Sequence, residues 1–508
     1  MAKEIEIKFV IDPDQVDRII EHPMVNRLAL GPPKKKHVVS TYLDSPDLSL
    51  RNKGIGFRVR KTPDGWVQTV KAKGSGAGSL HQREEFECPI ADDQPDYEKL
   101  AESQFAEIFA DAALRDQLAP LFVTDFERTA WYLELEDFTT IEMVLDLGEI
   151  RAGDQTEAIH EVELELKGGN PVSLMKVAIA LAESFPCMAE SRSKAQRAYN
   201  LLKEPTWKPQ RARPLQLNEK ESCSQGFAAM IENCLAQVLA NECPVLYGTD
   251  TEGVHQLRVG LRRMRSCLSL FRGLLPQRQF QFWRDEFKWL ADEMGPARDW
   301  DVFCDESLAV IRSYFPEMPQ LQVINEGAEQ QRAAGYVKAR GALRSQRYLL
   351  LVLRLRHWLD QRLWLNGCDA EQVAAWERPL MDLGIGMMND AHDRFFKRGK
   401  KFDDLSLEQR HRLRILGKRA RYTTEFFMGL YPNSKTVPYR KAQKGLQDQL
   451  GYLNDAVVAD TLLDQLGLSP QDAGAGLIRG WFACNIEHLV NDFDDHWSRF
   501  KKTKPFWR

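Results

Sequence analysis

Side-chain periodicity changes once along this 508-residue chain, and that change dictates how the chain must divide. Over the first two hundred residues, apolar and polar residues alternate in short runs. These are Glu4–Val10, Gly56–Arg60, Trp66–Lys73, Arg83–Cys88, Ala130–Leu135, Thr140–Leu145 and His160–Leu166. Period two is the signature of a half-buried strand. Turn chemistry separates the runs, as in Pro63-Asp64-Gly65 and Gly74–Ser79, and helical patterns intervene at Asp14–His22, Tyr97–Leu118 and Val172–Ser184. After about Asn218 the apolar spacing becomes i, i+3, i+4, i+7 almost throughout, which is helical. Between the two regimes lies KEPTWKPQRARP, whose Pro205, Pro209 and Pro214 suit neither a helix nor a central strand. The expectation is an α+β domain over residues 1–203, a Pro-rich linker over 204–218 and an all-α domain over 219–508.

The helical part repeats itself. His255-Gln-Leu-Arg258 with Arg262-Arg263-Met-Arg265 matches His411-Arg-Leu-Arg414 with Lys418-Arg419-Ala-Arg421 at an offset of 156 residues. The same offset pairs Phe271 with Phe427, Pro276 with Pro432, Gly295 with Gly451, Asp299 with Asp455 and Val302 with Val458. Two helical-bundle halves, about 219–340 and 375–500, are expected to pack with pseudo-twofold symmetry.

Charge is divided the same way. The net charge of -4 conceals 24 Lys+Arg against 35 Asp+Glu in residues 1–200, and 45 against 38 in the remainder. Two modules with different ligands follow from that asymmetry. The nine cysteines are scattered with no CxxC pair, which argues against a disulfide framework or zinc site and suits a reducing cytosol. The N-terminus, MAKEIEIKFV, is too charged for a signal peptide, and the longest apolar run, Tyr348–Leu353, is flanked by Arg347 and Arg354. No membrane association is expected, and the expected location is the cytoplasm.

In the strand-rich part, alternation gathers ionisable groups on single faces. Glu4, Glu6 and Lys8 share one face, as do Arg58 and Arg60, Lys71 and Lys73, Arg83, Glu85 and Glu87, and Glu161, Glu163 and Glu165. One such strand is ordinarily a solvated face. Five together, converging inside a closed barrel, would be costly without ligands. Bases suit phosphate oxygens and clustered carboxylates suit a hard divalent cation, so a metal polyanion would satisfy both sets. The glycine-rich stretch Gly74–Ser79 lacks a Gly-Lys-Ser/Thr ending and reads as a hairpin loop, and His81 beside it as a surface or orienting residue.

Residues 1–201 resemble the CYTH domain, or triphosphate tunnel metalloenzyme, family. The resemblance rests on Glu4-Ile-Glu6-Ile-Lys8, Thr41-Tyr-Leu-Asp44, Leu50-Arg51, Gly56-Phe-Arg58-Val-Arg60, Thr69-Val-Lys71 and Arg83-Glu-Glu85-Phe-Glu87. It continues through Phe126-Glu-Arg128, Leu145-Asp146, Glu161-Val-Glu163-Leu-Glu165 and Ser193-Lys194-Ala-Gln-Arg197-Ala-Tyr199. It implies an eight-stranded antiparallel tunnel in which Lys8, Arg58, Arg60, Lys71, Arg83, Arg128 and Lys194 contact triphosphate. It also implies that Glu4, Glu6, Asp146, Glu163 and Glu165 hold divalent cations, Mg2+ or Mn2+, expected as two ions. One ion would neutralise the phosphates and the other would activate water. Glu6 and Glu165 are the expected water-orienting carboxylates, with Arg58 and Lys71 stabilising transferred charge.

The helical half resembles the CHAD domain, often fused behind CYTH domains, on its two His-x-Leu-Arg segments. On a helix, His255, Arg258, Arg262 and Arg265 form one narrow stripe, with Leu257, Leu261, Met264 and Leu268 on the core face. The resemblance implies inorganic polyphosphate binding by His255, Arg258, Arg262, Arg263, Arg265, His411, Arg414, Lys418, Arg419 and Arg421. Asn454 stands where the first copy has Arg298, so the halves need not be equal. Nucleic acid is disfavoured by a pI near 6.3 and by the lack of aromatic residues along the stripe. The resulting expectation is a metal-dependent inorganic triphosphatase with a polyphosphate-binding helical domain, placed at polyphosphate granules. A thiamine triphosphatase, an adenylate cyclase, a non-catalytic polyphosphate-bound sensor and a protein–protein scaffold remain as alternatives.

Overall fold

Alternation in the first two hundred residues becomes one antiparallel sheet in the computed structural model, which describes residues 4–62, 65–72, 75–77, 80–83, 85–203, 205–402 and 404–508. Pro63, Asp64, Gly74, Gly78 and Ser79 lie outside the described residues, as do the side chains of Glu4, His81 and Arg83. The strands are β1 (Glu4–Ile11), β2 (Lys34–Asp44), β3 (Ile55–Thr62), β4 (Gly65–Ala72), β5 (Ser75–Ala77) and β6 (Leu80–Arg83). They continue with β7 (Glu85–Ile90), β8 (Ala119–Glu134), β9 (Thr140–Ala152), β10 (Gln155–Gly168) and β11 (Cys187–Ala189). Their order is β5-β6-β1-β10-β9-β8-β2-β3-β4-β7, with β11 beside β1. The described strands therefore number eleven rather than the expected eight, because the count includes the short pieces β5, β6 and β11. β6 pairs with β1 and β7 with β4, although residue 84 alone separates β6 from β7 in sequence.

Two sequence expectations need correction. β2 was not among the expected strands, because its Lys34-Lys-Lys-His start does not alternate. Pairing with β8 along its length and with β3 over Val39–Leu43 overrides that local signal. The helix expected over Tyr97–Leu118 is instead three single turns, at Tyr97–Leu100, Ala106–Phe109 and Ala112–Arg115. Asp96 and Asp111 accept backbone N–H groups, beginning new turns inside what periodicity read as one helix.

The apolar face of β1, β9 and β10 buries Ile7, Phe9, Leu145, Val162 and Leu164 against α1 (Pro171–Ser184). Pro171 opens α1, with Asn170 accepting from the Val172 N–H as its cap. A second short helix, α2 (Lys194–Leu202), closes the first segment of chain. One further helix, Gln346–Asp360, belongs to this unit although it lies far downstream in the sequence. Its Leu349 and Leu353 join the same core. Gln346 Nε2 donates to Ala182 O at 2.6 Å and Phe185 O at 3.1 Å, which satisfies carbonyls at the end of α1. Arg354 also pairs with Glu183 at 2.7 Å. The expected all-α domain over 219–508 thus lends residues 344–361 to the first unit.

The second unit comprises residues 207–343 and 362–508. Its main helices are α3 (Cys223–Ala240), α4 (Glu252–Leu270), α5 (Gln277–Glu293), α6 (Gly295–Asp301) and α7 (Pro319–Leu343). They are followed by α8 (Leu380–Gly399), α9 (Leu407–Phe427), α10 (Asn433–Gln465) and α11 (Ala473–Lys502). Helices starting at 223, 252, 277 and 319 have counterparts starting at 380, 407, 433 and 473, displacements of 157, 155, 156 and 154 residues. The chains entering α3 and α8 exchange hydrogen bonds reciprocally: Cys223 N donates to Arg378 O and Leu380 N to Glu221 O, both at 2.8 Å. The Pro-rich stretch is not a loose spacer beyond residue 206. Gln210 N donates to Asn241 Oδ1 at 2.9 Å, Asn241 Nδ2 returns a bond to Gln210 O at 2.8 Å, and Asn233 Nδ2 donates to Arg213 O at 3.0 Å.

Leu353→Ala should therefore destabilise the first unit by about 3 kcal/mol, read from denaturant unfolding of the full chain. Val337→Ala, at a position 72% exposed on α7, should change stability by less than about 0.5 kcal/mol.

Candidate functional site

The polar face of the sheet opposite that core encloses a cavity of about 740 Å3. Register sets its chemistry. Glu6 on β1 lies opposite Glu165 on β10, and Glu165 lies opposite Glu142 on β9. All three carboxylates line the cavity, with Lys167 Nζ holding Glu165 at 2.6 Å and Glu142 at 2.9 Å. Like charges directly opposite one another on neighbouring strands repel, and Lys167 offsets part of that at Glu165 and Glu142.

Next along β10, a second set of charges closes on itself. Lys194, at the start of α2, reaches Asp146, Glu161 and Glu163 at 2.9, 2.6 and 2.9 Å. Lys8 reaches Glu163 at 3.1 Å and Glu161 at 3.7 Å. Arg128 grips both oxygens of Asp146 at 2.7 Å and touches Glu163 at 3.2 Å, while Arg197 bonds Glu161. Burial opposes the charges of Lys8, Arg128, Lys194, Arg197, Glu161 and Glu163, and pairing prevails. Lys194 is held above the ordinary lysine range by Asp146, Glu161 and Glu163, and Glu163 is held well below the carboxylate range by Lys194, Lys8 and Arg128.

The remaining wall is different. Arg58 and Arg60 on β3 and Lys71 on β4 line the same cavity, together with Arg51. Lys71 pairs with Glu85 at 2.9 Å, and Arg58 lies 3.8 Å from it. Arg60 Nε donates to a neutral hydroxyl, Ser40 Oγ, at 2.9 Å, and Arg58 Nε is buried with no hydrogen-bond partner among the described residues. Burial and the charge of Arg58 push Arg60 down to about 10. Burial would raise the Tyr42 phenol, but Arg58 and Arg60 hold it below its ordinary value. At Arg60 these are the marks of positive potential that neighbouring side chains only partly offset, whereas Glu85 and Glu87 support Arg58. Asp44 supports this wall: it accepts from Leu50 N at 2.9 Å, Arg51 N at 3.0 Å and Tyr199 Oη at 2.8 Å, fixing the short turn that carries Arg51.

In the second unit, a cavity of about 610 Å3 opens between α4 and α9. His255, Arg258, Arg262 and Arg265 line it from α4, and Arg414, Lys418 and Arg419 from α9. Arg298 and Asp299 on α6 and Asp455 on α10 complete its charged lining along with Glu306, which pairs with Arg298 at 2.9 Å. Arg258 Nε and Arg414 Nε, equivalent at the 156-residue offset, are both buried with no hydrogen-bond partner among the described residues. Burial, and then Arg298, pushes His255 down to about 4; burial, Arg262 and Arg414 push Lys418 down to about 6. Val302–Leu308, which follows α6, is π-helical, whereas the counterpart segment in α10 is regular α-helix.

Residues 2–199 match the family model described as CYTH domain, and residues 229–464 the one described as CHAD domain. The chain joins a CYTH domain to a CHAD domain. An inorganic triphosphatase of Haemophilus influenzae is 32% identical over 203 residues, covering 40% of this chain and 55% of that protein. An uncharacterized protein of Mycobacterium tuberculosis is 26% identical over 227 residues, covering 44% of this chain and 42% of that one. The match thus spans about half the length of these curated relatives. The crystal structure of the CHAD domain from the plant Ricinus communis is 32% identical with a TM-score of 0.49, covering 58% of this chain and 98% of that one.

In the CYTH unit the structure gathers Glu6, Lys8, Arg58, Arg60, Lys71, Arg128, Glu163, Glu165 and Lys194 around one cavity. Asp146 departs from the expected metal set: it is fully buried, both of its oxygens are taken by Arg128, and it acts as an anchor for bases. The other acids supply hard oxygen donors that fit magnesium or manganese. Among the described residues no three of them converge on one point. In the CHAD unit, Arg263, His411 and Arg421 fall outside the cavity lining. Arg263 is buried and donates to Gln237 Oε1 and Asn233 Oδ1, while Arg421 is turned to Glu425 at 2.7 Å. Sequence reasoning assigned no role to Arg51, Tyr42, Glu142, Glu161 or Lys167. Glu142 was legible, since it shares the face of Asp146 at an even spacing, and Asp299 and Asp455 were already matched by the repeat.

No helix among the described residues is long and apolar enough to cross a membrane. Glu161 and Glu163 have depressed folded-state values, so their stabilisation is complete above the ordinary carboxylate value of 4.5 and is lost as pH falls through the folded values. Thermal unfolding of the CYTH unit should therefore drop in temperature below about pH 4.5, and Glu163→Gln should flatten that drop.

Proposed function

We propose that the CYTH unit hydrolyses inorganic triphosphate to pyrophosphate and phosphate with a divalent cation, magnesium or manganese. We further propose that its sheet closes into an eight-stranded tunnel where β6, beside β1, comes together with β7, beside β4. The observation that carries this reading is one cavity lined both by a carboxylate row at Glu6, Glu165 and Glu142 and by a basic wall at Arg51, Arg58, Arg60 and Lys71. A metal-bound polyphosphate is the ligand class that neutralises both at once. The name of the Haemophilus influenzae relative, inorganic triphosphatase, supports the same substrate.

When bound, a divalent cation held by Glu6 and Glu165, with Glu163 beside them, would neutralise phosphate oxygens and lower the pKa of attacking water. The protein's own groups do the rest. Arg58, Arg60 and Lys71 fix the phosphate chain and stabilise charge on its leaving and equatorial oxygens. Lys8, Arg128 and Lys194 extend the basic lining, each already placed by a buried carboxylate (Glu161 or Asp146), so none must be ordered when substrate arrives. Glu6 and Glu165 orient water.

We infer that the CHAD unit binds inorganic polyphosphate in its own cavity, where repeat-related arginines carry buried, unsatisfied N–H groups and acids are in the minority. This unit would hold a cytoplasmic chain at polyphosphate granules.

Phosphate release from triphosphate, ATP and thiamine triphosphate, with magnesium, manganese or a chelator, tests the first reading. Triphosphate should be preferred and the chelator should abolish release; preference for ATP, or no turnover, would sink it. Glu165→Gln and Arg58→Ala should each lower kcat by about 100-fold or more while circular dichroism stays unchanged. For the second reading, Arg258→Glu with Arg414→Glu should weaken polyphosphate binding by at least about 100-fold, and added salt should weaken wild-type binding.

A further inference from the structure

Repetition exposes one exchange in the CHAD cavity. At the 156-residue offset, Arg258 corresponds to Arg414, but Arg262 corresponds to Lys418. The cavity lining combines many arginines with a single lysine. Arginine keeps its charge at any physiological pH, whereas a half-buried lysine among cations does not.

The surroundings of Lys418 are one-sided. From α4 it faces Arg258 and Arg262, and on its own helix Arg414 lies one turn away. From α10 the compensating acid is Asp455, while from α6 Asp299 answers Arg258 and Arg414 rather than Lys418. Arg298 is paired with Glu306, and His255 titrates far lower, near 4. Three arginines against one carboxylate leave the ammonium of Lys418 poorly supported in the ligand-free cavity.

We propose that Lys418 makes this cavity a proton-linked anion site, in which a phosphate chain and one proton are taken up together. The inference rests on the polyphosphate reading above and adds how that binding is regulated. The amine of Lys418 accepts the proton from solvent, and the entering phosphate oxygens supply the negative charge that the cavity lacks. Burial and the neighbouring arginines bring Lys418 down to about 6 in the free protein, so it is largely neutral above that pH. Bound phosphate favours the ammonium, so affinity falls as pH rises above about 6, by up to about tenfold per pH unit. Below that value the ammonium is present before binding and the dependence levels off. The repeat itself shows that an arginine fits this kind of position, since Arg262 occupies it in the first half.

The test is calorimetric titration of the full chain with inorganic polyphosphate of defined length, between about pH 5.5 and 8.5 at constant ionic strength. Each titration is run in two buffers of different ionisation enthalpy. Wild type should lose affinity above about pH 6 and take up close to one proton per site. Lys418→Arg should bind with a flatter pH profile and a smaller proton uptake, and Lys418→Gln should bind weakly with the same flat profile. Equal pH slopes and equal proton uptake in wild type and Lys418→Arg would overturn this inference while leaving polyphosphate binding intact. Absence of binding at every pH would overturn both.

Discussion

Asp146, Glu161 and Glu163 set the terms for everything else in the CYTH unit. Asp146 and Glu161 put negative charge where water is excluded, Glu163 adds its own beside them, and such charge survives only when it is paired. Lys8, Arg128, Lys194 and Arg197 answer it from three different chain segments, so the pairing also fixes where β1, β8 and α2 must lie. A sheet built on this arrangement has part of its polar face already neutralised. The cavity's remaining appetite for ligand is then confined to groups outside the network, the Arg58–Arg60 wall and the Glu6–Glu165–Glu142 row. Buried ion pairs of this kind are poor devices for stability alone. Here they hold cationic side chains at fixed positions before a highly charged ligand enters, which saves reorganisation.

The CHAD cavity solves the same problem differently. Two of its acids, Asp299 and Asp455, are pushed upward by burial, while Arg258 and Arg414 are pushed downward. No closed set of pairs forms, so the excess of positive charge is spread over both halves of the repeat. One unit thus spends carboxylates to organise its bases, and the other leaves its bases crowded together.

Alternation, turn residues and the constant offset made the division into a sheet and a helical part legible, along with nearly all of the cavity-lining charges on β1, β3, β4 and β10. What escaped had a local pattern that contradicted its tertiary role. β2 begins with three lysines and a histidine and becomes a strand through its pairing. Asp146 sits on the same face as the cavity carboxylates, and only contact with Arg128 reveals it as an anchor. Arg263 neighbours Arg262 in sequence, but its helical angle turns it to Gln237 and Asn233. The Tyr348–Leu353 run was visible as apolar, yet nothing local indicated which part of the chain would cover it.

That run belongs to the helix Gln346–Asp360, which returns to the first unit after the chain has already left it. The path therefore crosses between the units three times, after residues 206, 343 and 361. A protease cutting the Pro-rich stretch would separate the peptides covalently but not physically. The downstream fragment keeps a helix whose Leu349 and Leu353 are built into the upstream fragment's core. For the same reason, the family boundary at residue 199 is not where the first unit ends in space, and the gene segment for 1–206 does not encode all of it.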